Sequence, residues 1–220
     1  MTKSIIITAG GIGKRMGSDI PKQFIELNGL PILMHTIQRF FDFNNSIQII
    51  VVLPKDHISF WYELIKKHNF SLKHTIVSGG TERFHSIKNG LQQSTGEVIG
   101  VHDGVRPFVS IAVINHTFNT ALELNCAIPV IDLKESIRMV DEDDSQSVNR
   151  SIYKIVQTPQ CFKGDIIKEA YLQDYSDQFT DDASVVEQFG HKINLVPGND
   201  ENIKITTPMD LRLAEVLCEN

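Results

Sequence analysis

The sequence predicts an α/β fold with a mainly parallel sheet flanked by helices, and three observations carry that reading. Short β-branched runs recur at residues 4–7, 47–53, 75–77, 98–101 and 127–130. Between them stand stretches with apolar residues at helical spacing, at 31–41, 58–70, 84–91 and 111–124. Strand and helix therefore alternate, which is the pattern of βαβ units. Third, no Pro/Ser/Gly-rich linker divides the 220 residues, so one domain over 1–220 is expected.

Each element has its own justification. The strands are short, β-branched and apolar without strict alternation, as strands covered on both faces must be. The helices between them place their apolar residues on one side, as cover for a sheet requires. The alternation stops after Val130. Residues 132–157 read as two short alternating runs around an acidic tip, Asp141 to Asp144, which predicts a polar hairpin projecting from the sheet as a β-arm, its tip solvated. Helices near 164–172 and 182–189, a strand at 192–196 and a closing helix at 208–217 follow. Thr207 before Pro208, with Asp210 in the first turn, makes a sound start for the last helix.

Composition excludes several classes. With 27 acidic residues against 21 Lys plus Arg, a net charge of −6 and 41% hydrophobic positions, the chain is ordinary globular material without a basic patch. Neither nucleic acid nor an anionic membrane is an expected partner. The three cysteines, Cys126, Cys161 and Cys218, are odd in number and form no C-x-x-C, so a reducing cytoplasm fits best. The apolar run in MTKSIIITAGG is too short for a secretory leader or a membrane span.

In open α/β sheets ligands bind beyond the carboxyl ends of the strands, so the segments after each strand are where chemistry is expected. After the first strand comes TAGGIGKRMGSDIPKQ. Gly10, Gly11, Gly13 and Gly17 allow backbone N–H groups to approach a phosphate chain, and Lys14, Arg15 and Lys22 add three cations. That suits a triphosphate. The P-loop pattern is absent, because Gly13-Lys14 is followed by Arg15 rather than Ser or Thr. A dinucleotide loop is the rival, since Gly11-x-Gly13 with Gly17 resembles its fingerprint; a short-chain, NADP-dependent oxidoreductase would also need a late Tyr-x-x-x-Lys, and the only match is the early Tyr62 to Lys66. A nucleotide-binding regulator without catalysis is the third class.

Two further loops join the first. SGGTERFHS supplies Gly79 and Gly80 with Arg83 and Ser86, and HDGVRP supplies His102, Asp103 and Arg106. An aspartate at a strand end can hold a ribose or Mg²⁺, and a nearby arginine can hold an anion. Arg150, Thr158, Thr180 and Lys204 are candidate donors for a second phosphate. His102 reads as structural rather than as a base, and Cys161 as a small buried residue.

The motifs TAGGIGKRMGSDIPKQF, SGGTERFHSI, HDGVRPF, QTPQCF, FTDDASVVE and NIKITTPMDL, in this order over essentially the whole chain, resemble the 2-C-methyl-D-erythritol 4-phosphate cytidylyltransferases of the non-mevalonate isoprenoid pathway. Ribitol-5-phosphate cytidylyltransferases share the signatures more loosely. The resemblance implies a Rossmann-like nucleotidyltransferase fold, Mg²⁺ held mainly by the CTP phosphates, and a homodimer whose β-arms interlock. It also implies transfer from CTP to a polyol phosphate with release of pyrophosphate. Arg15, Lys22 and Lys204 would act on the phosphates. Ala9, Gly10, Gly11, Gly13, Lys14, Gly80 and Ser86 would hold the nucleotide, with Asp103 near the ribose or the metal. Arg106, Ser136, Arg150, Thr158 and Thr180 would bind the acceptor, some of them from the partner subunit. Lys14 stands where many relatives have arginine, and Ser136 where some have threonine.

Overall fold

The computed structural model describes residues 2–11, 20–142 and 144–219. The chain begins with β1 (Lys3–Thr8), a 3-10 turn at Lys22–Phe24 and a small hairpin of β2 (Glu26–Leu27) and β3 (Leu30–Pro31). Then come α1 (Ile32–Phe43), β4 (Gln48–Leu53), α2 (Ile58–Lys67), β5 (Thr75–Ser78), α3 (Arg83–Gln93), β6 (Val98–Asp103), α4 (Ile111–Leu124) and β7 (Cys126–Asp132). The expected alternation therefore holds through β7. Next are β8 (Arg138–Asp141), β9 (Asp144–Ser147), β10 (Lys154–Val156), β11 (Gln160–Lys163), α5 (Gly164–Ala170), α6 (Asp182–Gln188), β12 (Asn194–Pro197) and α7 (Pro208–Cys218).

The central sheet runs β10-β7-β11-β6-β1-β4-β5, with β12 on the other edge of β7. β5, β4, β1 and β6 are mutually parallel, and β11 is antiparallel to both of its neighbours, β6 and β7. The chain leaves β1 toward β4 and β5, then returns to β6 on the opposite side. That reversal is a topological switch point, and it brings Thr8 of β1 beside Val52 of β4 and Asp103 of β6.

Side chains of one strand alternate between faces, and the two packed faces follow from that. Ile5 and Ile7 join Leu33, Met34, Ile37 and Phe40 of α1 and Val113, Ile114 and Phe118 of α4. Ile6 joins Phe84, Ile87 and Leu91 of α3 and Ile167 and Ala170 of α5. Both faces are thus covered, which is why the strands read as unbroken apolar runs. β8 and β9 form a two-stranded sheet of their own, in register from Arg138 opposite Ser147 to Asp141 opposite Asp144, so the hairpin is narrower than the expected 132–157: Lys154 to Val156 at its far end pair with β7 in the central sheet. The closing helix starts at a capping box: Thr207 Oγ1 accepts from the Asp210 N–H, and the Asp210 carboxylate accepts from the Thr207 N–H.

Candidate active site

The loops after β1, β5 and β6 meet over one cavity of about 320 Å³, lined among others by Ala9, Gly10, Gly11, Lys22, Gly79, Gly80, Arg83, Ser86, Asp103 and Lys204. The expected convergence at the carboxyl ends of the strands is therefore present. Gly13, Lys14 and Arg15 lie outside the described residues.

On the β1 side, the Ala9 N–H donates to Val52 O at 3.0 Å, and Ala9 O accepts from Gln23 Nε2 at 2.8 Å. Gln23 is fully buried, so this bond pins the 3-10 turn that carries Lys22 to the end of β1. Gly11 stands so close to that lysine that a Cβ there would meet Lys22 Cε at 3.0 Å. On the β5 side, the Gly79 N–H donates to Leu53 O and the Gly80 N–H to Ser86 Oγ. A Cβ on Gly80 would fall 2.4 Å from His85 Cβ, so only glycine lets this loop turn into α3.

Asp103 forms the third wall. Its Oδ2 accepts from Arg106 Nε at 2.9 Å and faces Lys204 Nζ at 3.1 Å. Burial alone would raise the Asp103 pKa, but Lys204, Arg106 and Arg83 outweigh it and hold the carboxyl well below the usual carboxylate range. Arg106 is fixed from behind by its Nη1 bond to Asn202 O at 2.7 Å.

His102, one residue before, is fully buried and both ring nitrogens are engaged. Nε2 lies 3.0 Å from Arg106 O, a carbonyl that only accepts, so this nitrogen carries the proton. Nδ1 then accepts from Thr158 Oγ1 at 2.9 Å, and the same hydroxyl accepts from the Asp103 N–H at 3.1 Å. Burial pushes the His102 pKa down to about 4. The imidazole is a neutral brace for the Asp103 strand end, in keeping with the structural reading of the sequence. Cys161 is likewise fully buried, and burial raises its thiol pKa.

Arg83 completes the β5 wall. Its Nη1 and Nη2 donate to Asp182 Oδ1 and Oδ2 at 3.1 and 2.5 Å, and Tyr171 Oη donates to Oδ1 at 2.6 Å. Asp182 is fully buried, so the pairing is what permits a carboxylate there. Burial alone would lower the Arg83 pKa, yet Asp182, with Tyr171 and Asp103, outweighs it and raises the pKa.

Other expected residues sit elsewhere. Arg106 and Thr158 back the cavity through Asp103 without lining it. Ser136 and Arg150 are exposed on the arm, where the Arg150 guanidinium donates to Lys134 O, and Thr180 is exposed before the cap of α6.

Residues 4–220 match the 2-C-methyl-D-erythritol 4-phosphate cytidylyltransferase family, IspD. A Phocaeicola vulgatus protein of that name is 52% identical over 218 residues, 99% of this chain and 100% of that protein. One from Bacteroides fragilis is 51% identical over the same shares. The solved Thermus thermophilus structure of that name superposes with a TM-score of 0.82 at 28% identity and covers all of both chains. A 4-diphosphocytidyl-2C-methyl-D-erythritol synthase from Anaerococcus prevotii gives 0.83 at 29% identity over 100% of this chain and 96% of that one.

The chain belongs to the 2-C-methyl-D-erythritol 4-phosphate cytidylyltransferase family. It is a nucleotidyltransferase with the Rossmann-like fold of that family, and the ribitol phosphate and oxidoreductase alternatives are not favoured.

Two contacts of this candidate site go beyond the residues read from the sequence: the Gln23 bond to Ala9, and the pairing of Asp182 with Arg83. The second pair had a signal. FTDDAS carries two adjacent carboxylates, of which Asp181 caps α6 and is held by Gln160 Nε2 at 2.8 Å, leaving Asp182 to turn inward. The sequence separation of 99 between Arg83 and Asp182 hides that contact from any local pattern.

Proposed function

We propose that this chain transfers the cytidylyl group of CTP to 2-C-methyl-D-erythritol 4-phosphate, giving 4-diphosphocytidyl-2-C-methyl-D-erythritol and pyrophosphate. The observation that carries the reading is family membership over residues 4–220, supported by a cavity with glycine walls and lysines at its rim.

The chemistry needs cations more than a base. The acceptor phosphate is already ionised and attacks the α-phosphorus of CTP in line; the bond to the β-phosphate oxygen breaks and pyrophosphate leaves. Several negative charges crowd together in that transition state. Lys22 and Lys204 supply positive charge at the cavity, and Arg15 is proposed to join them. Ala9, Gly10, Gly11, Gly80 and Ser86 hold the nucleotide. The neutral, enclosed His102 takes no proton.

Mg²⁺ is the proposed divalent partner. Among the described residues no group of three or more His, Cys, Asp or Glu is placed to hold a metal, while Asp103 offers one firmly ionised carboxylate to the cavity. Such a donor set fits an ion held mainly by phosphate oxygens, with Asp103 as its protein ligand. The ion would neutralise charge on the triphosphate.

The proposed assembly is a homodimer in which the arm of one copy brings Ser136 and Arg150 to the cavity of the other. Two observations support it. A two-stranded sheet is not stable by itself, and Met139, Val140, Ile152, Tyr153 and Ile155 are exposed on and beside it. The cytoplasm is the proposed compartment, in line with three unpaired cysteines.

The test is pyrophosphate release from CTP and Mg²⁺ with each acceptor alone. Release with methylerythritol phosphate supports the reading. Release with ribitol 5-phosphate only moves the chain to polyol-phosphate activation.

A further inference from the structure

The wall of the cavity below β5 holds an arginine with a dedicated support. Arg83 is the first residue of α3, beside Gly79, Gly80 and Ser86. Asp182, fully buried on α6, takes two of its five N–H donors in a bidentate pair, and Tyr171, the residue that ends α5, adds a hydroxyl bond to Asp182 Oδ1. Phe84 stacks on Tyr171 and Phe179 at centroid distances of 4.7 and 5.5 Å, so the three segments that make this clamp are themselves packed together. A structural ion pair on the rim would not need a carboxylate withdrawn completely from water.

Charge and position say what such a guanidinium is suited to contact. Asp182 balances its charge, so Arg83 adds little to the attraction of a triphosphate. β5 is two strands from β1, an offset of about 10 Å from the Gly10-Gly11 loop. What Arg83 still offers is directional: N–H groups in a fixed plane, on a side chain that lines the cavity. Those suit neutral oxygen acceptors, the ring carbonyl of a pyrimidine or a ribose hydroxyl.

We propose that Arg83 is a further nucleotide-contacting residue, donating to the nucleoside of CTP rather than to its phosphates, and that Asp182 and Tyr171 are the positioning residues that aim it. This rests on the cytidylyltransferase reading. It also assigns FTDDAS a second task besides capping α6, because Asp182 acts on the nucleotide through Arg83.

The experiment compares CTP with inorganic tripolyphosphate, which has the phosphates and no nucleoside. Dissociation constants for both are measured calorimetrically on wild type, Arg83→Lys and Asp182→Asn, with the KM for the acceptor measured alongside. Arg83→Lys keeps the charge and loses the bidentate fork, so it separates geometry from electrostatics. The expected result is a rise of about tenfold or more in the CTP constant, with the tripolyphosphate constant and the acceptor KM unchanged within about twofold. Asp182→Asn, once its melting curve shows a folded protein, should repeat the pattern; if it does not fold, Arg83→Lys carries the decision. Equal weakening of CTP and tripolyphosphate, an unchanged CTP constant, or a change confined to the acceptor would each overturn the assignment. A wild-type protein that binds no CTP would overturn the underlying reading with it.

Discussion

Lys204 Nζ and Arg106 Nε share one oxygen, Asp103 Oδ2, at 3.1 and 2.9 Å. A single carboxylate therefore holds a cation of the cavity rim and ties it to a residue behind the wall. Asp103→Asn removes the charge that keeps both in place. Turnover should fall about 10²-fold, read as pyrophosphate release. The pH dependence of stability should change as well. The folded-state pKa of Asp103 is depressed, so its contribution is present above the ordinary carboxylate range near 3.9 and is lost as pH falls through and below it. Melting temperatures taken down to pH 2 should drop less steeply in the variant than in wild type; parallel curves would refute the pairing.

Lys22 lies against Gly11 on a turn that Gln23 locks to β1. A cation fixed in this way serves a transition state better than a ground state. Lys22→Ala should lower turnover by about 10²-fold or more, with a smaller change in CTP affinity. Near-normal turnover would remove Lys22 from the reaction.

His102 gives a second pH window. Its folded pKa of about 4 lies below the ordinary value of 6.5. Between the two, the unfolded chain binds a proton that the folded one refuses, so stability falls on acidification from pH 6.5 to 4 and levels off below. The loss amounts to about 3 kcal/mol at most. His102→Gln, less stable at neutral pH, should lack this segment of the curve. If wild type and variant lose stability equally between those limits, the buried neutral imidazole is not its source.

The strands β1, β4 and β6 were legible because both faces of the sheet are covered, which leaves runs such as Ile5 to Ile7 with no polar interruption. β11 was not, because QCFK is short and slips antiparallel between β6 and β7, outside any βαβ unit. The β2–β3 hairpin does carry a local signal: Asn28-Gly29, both at positive φ, is the dipeptide favoured by a two-residue hairpin turn. In the candidate site, glycines and strand-end polar residues pointed to the loops that line the cavity, since backbone approach to a ligand excludes side chains. The Arg83–Asp182 clamp was invisible for the opposite reason: it joins elements that only the folded sheet brings together.

Gly80 and Gly10 separate two uses of glycine. A Cβ at Gly80 would meet His85 Cβ at 2.4 Å and the His85 backbone at 3.1 Å, so Gly80→Ala must move the first turn of α3 and Ser86 with it. It should cost about 1–3 kcal/mol of stability and weaken CTP binding. Among the described residues, a Cβ at Gly10 would meet nothing within 4 Å. Gly10→Ala should therefore melt like wild type, and any loss of CTP affinity would come from the nucleotide itself. A destabilised Gly10→Ala would contradict this division.

Arg150 tests the proposed dimer more sharply than any sizing measurement. Its guanidinium is exposed on the arm and lines no part of its own chain's cavity. Arg150→Ala should raise the acceptor KM and leave the CTP constant alone. The decisive form is a mixture of Lys22→Ala and Arg150→Ala proteins, refolded together. If Arg150 acts across the interface, each mixed dimer has one cavity with both defects and one with neither. About half of the dimers are mixed, so activity at low acceptor should recover to about a quarter of wild type. If Arg150 serves its own chain's cavity, every site carries one defect and mixing restores nothing. Recovery would place the acceptor between subunits; its absence, with both proteins shown to exchange, would confine the site to one chain.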